Sequence, residues 1–264
     1  MWSNCLAGWL ITNGQLDKAI LLVCLGGSFL YVGGMFLNDA FDVAFDRQYR
    51  PERPIPSGLI SERLVWVLGW SWLGLGLICF LPFGLTSLLS ALALAGTIVL
   101  YDATHKKTAV APLFMATCRL LLYVLAGTAA GGLTKQGVAA GLALGCYIAG
   151  LSYLAKKESI PGPLKHWPAS LLFAPLFFMF WRIGLFDSFL RLLVILAFLV
   201  WIVSALRLVY RFKPPRIGQA IARLLAGIVL VDALAVPMLE GFAFSLLLIL
   251  FLLALIMQRI APAT

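Results

Sequence analysis

The sequence contains little charge and no long polar segment. Only 12% of its 264 residues are Asp, Glu, Lys or Arg, whereas 62% are hydrophobic, and the longest polar stretch is the loop at 38–63. The mean hydropathy is +1.00, while a soluble domain is normally only about half apolar. The composition therefore excludes a separate soluble domain and predicts one membrane-embedded domain over 1–264.

A signal peptide and paired cysteines are absent as well. The first apolar segment has neither a basic flank nor a small-residue cleavage site. It is also short, so we expect the first helix to be truncated at its start. The cysteines lack metal-site spacing and fall singly in separate apolar segments, which predicts a structural role: Cys5, Cys24, Cys79, Cys118 and Cys146.

Long apolar runs dominate what remains. A helix needs roughly 20 apolar residues to cross the hydrocarbon, and the chain supplies such runs repeatedly. The pattern predicts an all-α polytopic membrane bundle of nine to ten transmembrane helices. The expected segments lie near 2–13, 18–37, 64–81, 83–101, 110–131, 137–155, 168–185, 189–209, 217–237 and 241–258.

The net charge of +9 is distributed unevenly. Loops after the second, fourth, sixth and eighth segments carry most of the basic residues, and the opposite loops carry few. Because cytoplasmic loops are enriched in Lys and Arg, we expect these loops in the cytoplasm and attribute the basicity to topology, not to nucleic-acid binding. The basic residues are Arg47, Arg50, Arg53, Arg63, Lys106, Lys107, Lys156, Lys157, Lys165, Arg211, Lys213 and Arg216.

The stretch NDAFDVAFDRQYRPERPIPSG at 38–58 concentrates charge directly after an apolar segment. If the helix continues, Asp39, Asp42 and Asp46 share one face, and Asn38 lies beside them. Converging carboxylates repel each other unless a cation lies among them. Oxygen ligands without His or Cys suit Mg²⁺, so the stretch predicts a magnesium site.

Arginines follow the acidic residues at once. Arg47, Arg50 and Arg53 offer guanidinium groups that match phosphate geometry, and Mg²⁺ commonly fills its open positions with phosphate oxygens. The loop therefore predicts a phosphorylated ligand held by metal and arginine together. The alternative is a solvated interfacial loop whose charges are incidental.

The pattern N-D-x-x-D-x-x-x-D with downstream R-P-x-R-P-I-P-S-G closely resembles the first signature of the UbiA superfamily of intramembrane prenyltransferases. The resemblance implies a UbiA-type bundle over the whole chain, with WSNCLAGWL similar to the interior of its first helix. It also implies that Asp39, Asp42 and Asp46 are catalytic and hold Mg²⁺ on an isoprenoid diphosphate. Arg50 and Arg53 would then bind this substrate.

YDATHKK at 101–107 resembles the tyrosine-to-lysine motif of the family, whose lysine contacts diphosphate. Tyr101 and Lys106 are one residue further apart than usual, so either Lys106 or Lys107 is expected to fill that role. His105 is interpreted as structural, although a histidine side chain can titrate near neutrality.

Two of the charges that fall inside apolar segments are candidate functional residues. Arg119, within CRLLLYVLAG, lies where the family often has an arginine, and a charge at that depth is costly unless it faces a polar cavity. We expect it at such a cavity, with a structural ion pair as the alternative. For Asp232 a structural role and an acceptor-side role are equally supported.

SYLAKKESIPG at 152–162 stands where the family has its second aspartate-rich motif. It offers only Glu158 as an acid, beside Lys156 and Lys157. One interpretation is that a lysine replaces the positive charge of the second metal ion; the other is that prenyl transfer has been lost. YDATHKK and SYLAKKE together resemble the EboC-like bacterial branch, which implies a bacterial-type inner or plasma membrane.

The expected function is therefore Mg²⁺-dependent transfer of a prenyl group from an isoprenoid diphosphate to an aromatic or lipid acceptor. The alternative is a catalytically altered UbiA-fold protein that binds or transports isoprenoid lipids. The CDP-alcohol phosphotransferases, another intramembrane class, are excluded because the D-G-x-x-A-R opening of their motif is absent.

Overall fold

The structure, a computed structural model, describes residues 1–106, 108–159, 165–182, 189–237 and 241–260. Every regular element in these ranges is helical, which confirms the predicted all-α membrane bundle. A short 3₁₀ turn lies at Leu81–Phe83. The helices are α1 (Trp2–Asn13), α2 (Ala19–Phe41), α3 (Val43–Tyr49), α4 (Glu62–Ile78), α5 (Leu85–Thr104), α6 (Ala111–Ala129), α7 (Lys135–Ser159), α8 (Trp167–Leu171), α9 (Ala174–Arg182), α10 (Phe189–Tyr210), α11 (Ile217–Ala235) and α12 (Gly241–Ile260).

Eight helices in the described ranges are long and apolar enough to cross a membrane: α2, α4 with its 3₁₀ extension, α5, α6, α7, α10, α11 and α12. The other two expected segments are shorter. The first is α1, with 12 residues, and the seventh is divided into α8 and α9. Pro168 lies in the first turn of α8 and Pro175 in that of α9, and proline favours a helix start over a helix interior.

Two hydrophobic clusters organise the bundle. One is built mainly from α7, α9, α10 and α11, and the other from α1, α2, α5 and α6. Helix α1 packs against α6 and α11, and its residues from Ser3 to Leu10 are all buried. Helix α12 is peripheral, with 6% of its apolar window buried. The short first helix is therefore interior, whereas the last helix is positioned to face lipid.

Glycines bring α2 and α4 close together. A Cβ atom on Gly33 would lie 2.9 Å from the backbone nitrogen of Leu73 and 3.0 Å from the carbonyl oxygen of Gly69. Small residues at such crossings permit backbone approach in membrane helices. This approach fixes the position of α2, which carries Asn38 and Asp39 at its end.

We expect Gly33→Ala to destabilise the protein by about 1–3 kcal/mol, because its methyl group meets the backbone of α4. Gly74→Ala is the matched control: it lies on α4 with no neighbouring atom within 4 Å of its Cβ position. Alanine there is expected to be neutral or to stabilise the helix by up to about 1 kcal/mol. Thermal unfolding in detergent checks both variants, and equal melting temperatures would contradict the close approach.

Candidate active site

A cavity of about 530 Å³ lies between α2, α5 and α6. Asn38, Asp39, Tyr101 and Asp102 line it, and Arg119 reaches it from α6. The remaining wall is mostly apolar, with residues such as Leu30 and Ile98. This volume is in the range of small-ligand sites, and the lining combines carboxylates, a guanidinium group and hydrocarbon.

The acidic motif spans a break in the helix. Helix α2 ends at Phe41, Asp42 forms the junction, and α3 carries Asp46. Arg53 folds back from the following loop: its Nη1 lies 3.2 Å from Asp39 Oδ1 and 3.0 Å from Asp46 Oδ2. The structure therefore brings two motif carboxylates and one predicted arginine together.

Asp42 meets the tyrosine-to-lysine motif at the end of α5. Lys106 Nζ lies 2.8 Å and His105 Nε2 lies 3.5 Å from Asp42 Oδ1. Burial opposes ionisation of the carboxyl group, but the contacts from His105 and Lys106 outweigh it and lower the pKa of Asp42. The same contact with Asp42 raises the pKa of His105, against the opposing effect of burial. Tyr101 stacks on the His105 ring at 5.1 Å between centroids.

The other basic residues predicted for the site do not line the cavity in the described part of the chain. Arg47 pairs with Glu62 at 3.0 Å, and Arg50 is exposed directly after α3. Lys156 Nζ donates hydrogen bonds to the carbonyl oxygens of Thr108 and Ala109, at 3.2 and 3.1 Å, and does not line the cavity. Lys107 and the side chains of Lys157 and Glu158 lie outside the described residues. The proposed roles of these residues in binding stay predictions.

Asp102 is a cavity residue that the sequence interpretation missed. Its side chain is buried, Oδ1 accepts a hydrogen bond from Asn38 Nδ2 at 3.2 Å, and Oδ2 has no hydrogen-bond partner among the described residues. The available signal was its position: Asp102 follows directly on the apolar segment 83–101, beside Tyr101, and an acid at the end of a membrane segment is a functional candidate.

Arg119 belongs to a buried polar chain that joins three helices. Its Nη1 donates to Asn4 Oδ1 at 2.8 Å, and Asn4 Nδ2 donates to both carboxylate oxygens of Asp232 at 2.9 Å. The Tyr123 hydroxyl donates to Asp232 Oδ1 at 2.6 Å. Arg119 is thus at the cavity, as expected, and Asn4 separates it from Asp232. Asn4 and Tyr123 were not identified from the sequence.

The carboxylates have the oxygen donors that Mg²⁺ prefers, and Asp46 Oδ1 and Asp102 Oδ2 are buried without a hydrogen-bond partner in the described part of the chain. Within that part, however, no three Asp, Glu, His or Cys side chains converge as a metal site requires. Arg53, Lys106 and His105 supply the positive charge among the acids instead. The donor chemistry fits Mg²⁺, and binding would require these cations to be displaced.

Comparison with known proteins identifies the class. The model of the UbiA prenyltransferase family matches residues 1–262. The chain belongs to this family, which confirms the resemblance seen in its motifs.

Particular relatives share a function in their names. The digeranylgeranylglyceryl phosphate synthase of Metallosphaera sedula is 34% identical over 102 residues, which are 39% of this chain and 34% of the relative. That of Korarchaeum cryptofilum is 31% identical over 134 residues, 50% of this chain and 47% of the relative. The matches thus span between a third and a half of these relatives.

A solved structure shows the same fold. It is described as that of a digeranylgeranylglyceryl phosphate synthase in membranes, and it superposes with a TM-score of 0.63 at 22% identity. The superposition covers 89% of this chain and 91% of the other. At this identity the likeness establishes the shared UbiA-type bundle.

The contact between Asp42 and His105 predicts a measurable titration. In metal-free buffer, we expect Asp42→Asn to lower the pKa of His105 toward the ordinary value of about 6.5, because the carboxylate that raises it is lost. In the native protein the imidazolium contributes stability that is complete below the ordinary histidine pKa and is lost as pH rises through the raised pKa.

An NMR titration of protein labelled at histidine measures the pKa of His105 in both proteins. The chain has 2 His residues, so the spectra are simple to assign. His166 stacks on Tyr210 with 4.9 Å between ring centroids, and its resonances serve as the internal reference of the spectra. An unaltered His105 pKa in Asp42→Asn would contradict the contact.

Proposed function

We propose that the protein is an intramembrane prenyltransferase that transfers a prenyl group from an isoprenoid diphosphate to a lipid acceptor, as a glycerol phosphate lipid would provide. The observation that carries this proposal is the cavity itself. At one end Asn38, Asp39 and Asp102 line the cavity, and an apolar wall continues from them between α2, α5 and α6. Beside this end, Arg53 contacts Asp39 and Lys106 contacts Asp42. A diphosphate with a hydrocarbon tail has the matching distribution of charge and apolar surface.

The acidic end would bind the diphosphate. Asn38, Asp39, Asp42 and Asp46 would hold Mg²⁺, which when bound offsets the negative charge that develops on the departing diphosphate. Arg53 and Lys106 now neutralise the same carboxylates. With Mg²⁺ among the acids, both side chains would be available for phosphate oxygens, which guanidinium and ammonium groups bind well.

The transfer step needs a dry cavity. The bond between prenyl C1 and the diphosphate oxygen breaks, and its electron pair leaves with the diphosphate. A hydroxyl oxygen of the acceptor forms the new bond to C1, and its proton is taken up by the departing diphosphate. Apolar walls such as Leu30, Leu94 and Leu122 would exclude the water that otherwise captures the allylic cation. The names of the relatives support a glycerol phosphate lipid as acceptor.

Lys156 would support the site indirectly. Its ammonium group holds the loop between α5 and α6 through two carbonyl groups, and that loop follows directly on Lys106. Lys157 remains our candidate for a lysine that replaces the positive charge of the second metal ion, and Lys107 remains an alternative to Lys106 as a diphosphate ligand. Arg50 remains a candidate diphosphate ligand.

A second candidate function is binding or transport of isoprenoid lipids without catalysis. One observation favours it: in the described residues the motif carboxylates are already paired with cations and form no three-acid group. The two functions differ in one property, which is release of diphosphate.

Purified protein with geranylgeranyl diphosphate and geranylgeranylglyceryl phosphate should release diphosphate and form the ether product when Mg²⁺ is present. Asp42→Ala should abolish this reaction and Mg²⁺-dependent diphosphate binding, because it removes a central acid. Asp17→Asn is the control, since Asp17 is an exposed acid outside the motif. Calorimetry with and without EDTA measures the binding. Unchanged Mg²⁺-dependent affinity in Asp42→Ala would overturn the metal assignment, and binding without turnover in the native protein would favour the second function.

The membrane-spanning helices make this an integral membrane protein. We further propose a bacterial-type inner membrane with the basic loops in the cytoplasm. A cysteine at Ser57 should then resist a membrane-impermeant maleimide in intact cells and react in inside-out vesicles. Lys18→Cys, in the loop between α1 and α2, is the mirror control and should react in intact cells. The reverse pattern would invert the topology.

A further inference from the structure

The polar chain around Arg119 is unusual because its two charges do not touch. Asn4, Tyr123 and Asp232 have no exposed surface, and all belong to helices packed inside the bundle. Asn4 lies between the guanidinium and the carboxylate and contacts both. The neutral side-chain amide of Asn4 thus links the guanidinium to the carboxylate and fixes the orientation of one relative to the other.

In this arrangement the Asp232 carboxylate accepts several hydrogen bonds, whereas Arg119 uses few of its N–H donors. Asp232 receives hydrogen bonds from the Asn4 amide on both oxygens and from Tyr123 on one. Within the described residues Arg119 donates one hydrogen bond, to Asn4, although a guanidinium carries five N–H donors. A direct Arg–Asp pair would direct two of these donors at the carboxylate. In the described part of the chain the other N–H donors of Arg119 have no hydrogen-bond partner, and Arg119 lines the cavity.

The position of Arg119 separates it from the acidic end. It lies eight residues after Ala111, where α6 begins, which is about 12 Å along a helix axis. Asp39 and Asp102 lie near the ends of α2 and α5 on that same side. Arg53 and Lys106 already serve the acidic end, so the guanidinium two turns deeper is suited to a different anionic group.

We propose that Asn4, Tyr123 and Asp232 are positioning residues that orient Arg119 as a receptor for the phosphate group of the acceptor lipid. The cavity would thereby select an anionic acceptor over the corresponding neutral alcohol. This inference rests on the proposed function for the identity of the acceptor, but it concerns binding and not turnover.

Two probes that differ only in the phosphate test it: geranylgeranylglyceryl phosphate and geranylgeranylglycerol. Their affinities for the full chain in detergent are measured by calorimetry without any prenyl diphosphate. The native protein should prefer the phosphate by on the order of tenfold or more, as expected for a charge-assisted hydrogen bond. Arg119→Gln should abolish this preference, and Asn4→Leu and Tyr123→Phe should reduce it several-fold.

Tyr147→Phe is the matched control for Tyr123→Phe. Both tyrosines are fully buried and donate one hydrogen bond, but the partner of Tyr147 is the carbonyl oxygen of Leu224, and Tyr147 does not line the cavity. The Tyr147→Phe variant should prefer geranylgeranylglyceryl phosphate over geranylgeranylglycerol as strongly as the native protein does. For each variant the readout is the ratio of its affinities for the two probes, because a poorly folded variant would lose affinity for both probes together.

Equal binding of the two probes to the native protein would overturn the inference, as would an unchanged ratio in Arg119→Gln. A third arm uses Mg²⁺ and inorganic pyrophosphate. If Arg119→Gln weakens pyrophosphate binding as much as phosphate-lipid binding, Arg119 belongs to the donor site and the inference is also overturned. Failure of prenyl transfer alone would leave the affinity ratio intact, so failure of the proposed function is distinguishable.

Discussion

Compensation of charge within a low-dielectric bundle is the constraint on which this structure depends. An ionised side chain at membrane depth is costly unless a counter-charge or several hydrogen bonds accompany it. The described acids near the end of α2 meet this condition through Arg53, Lys106 and His105. Asp232 meets it through neutral donors. The two solutions differ: in the proposed function the acidic site would exchange its cations for Mg²⁺, whereas the hydrogen bonds to Asp232 would keep a fixed orientation.

The acidic end is neutralised by side chains that a ligand would also attract. Arg53 bridges Asp39 and Asp46 from a loop, and Lys106 reaches Asp42 from the end of α5. Both positions are near the surface, where long side chains reorient at modest cost. A metal ion that neutralised the acids would remove the reason for these contacts and leave two cations beside it. The same residues can therefore stabilise the ligand-free cluster and then serve an anionic substrate.

Much of the fold followed from the sequence because its signals are local. Apolar length identified the eight spans found in the described residues, and the acidic motif follows the second predicted segment, where α2 ends and α3 begins. The division of the seventh segment into α8 and α9 was missed, although Pro168 and Pro175 stand where these helices begin. Total hydropathy does not register where proline interrupts a helix.

The site was predicted less completely because its contacts are long-range. Nothing local indicates that Asn38 and Asp102, 64 residues apart, share a hydrogen bond. Asn4 and Asp232 are separated by 228 residues, and only helix packing brings them together. Lys156 was expected to face the diphosphate because of its charge, but the structure places it on the carbonyl groups of Thr108 and Ala109. The charge of a lysine predicts that its ammonium group has a partner, but it does not indicate whether that partner is a bound ligand or a backbone carbonyl group.

The short first helix connects helix packing with the compensation of charge inside the bundle. Helix α1 has 12 residues, too few to cross the hydrocarbon alone, yet its central stretch is buried between α6 and α11. Gly8 permits this contact, since a Cβ atom there would lie 2.8 Å from the carbonyl oxygen of Tyr123. That close approach places Asn4 between Arg119 and Asp232, so α1 links packing to the chemistry of the cavity. The packing of α1 therefore determines where the Arg119 guanidinium is held.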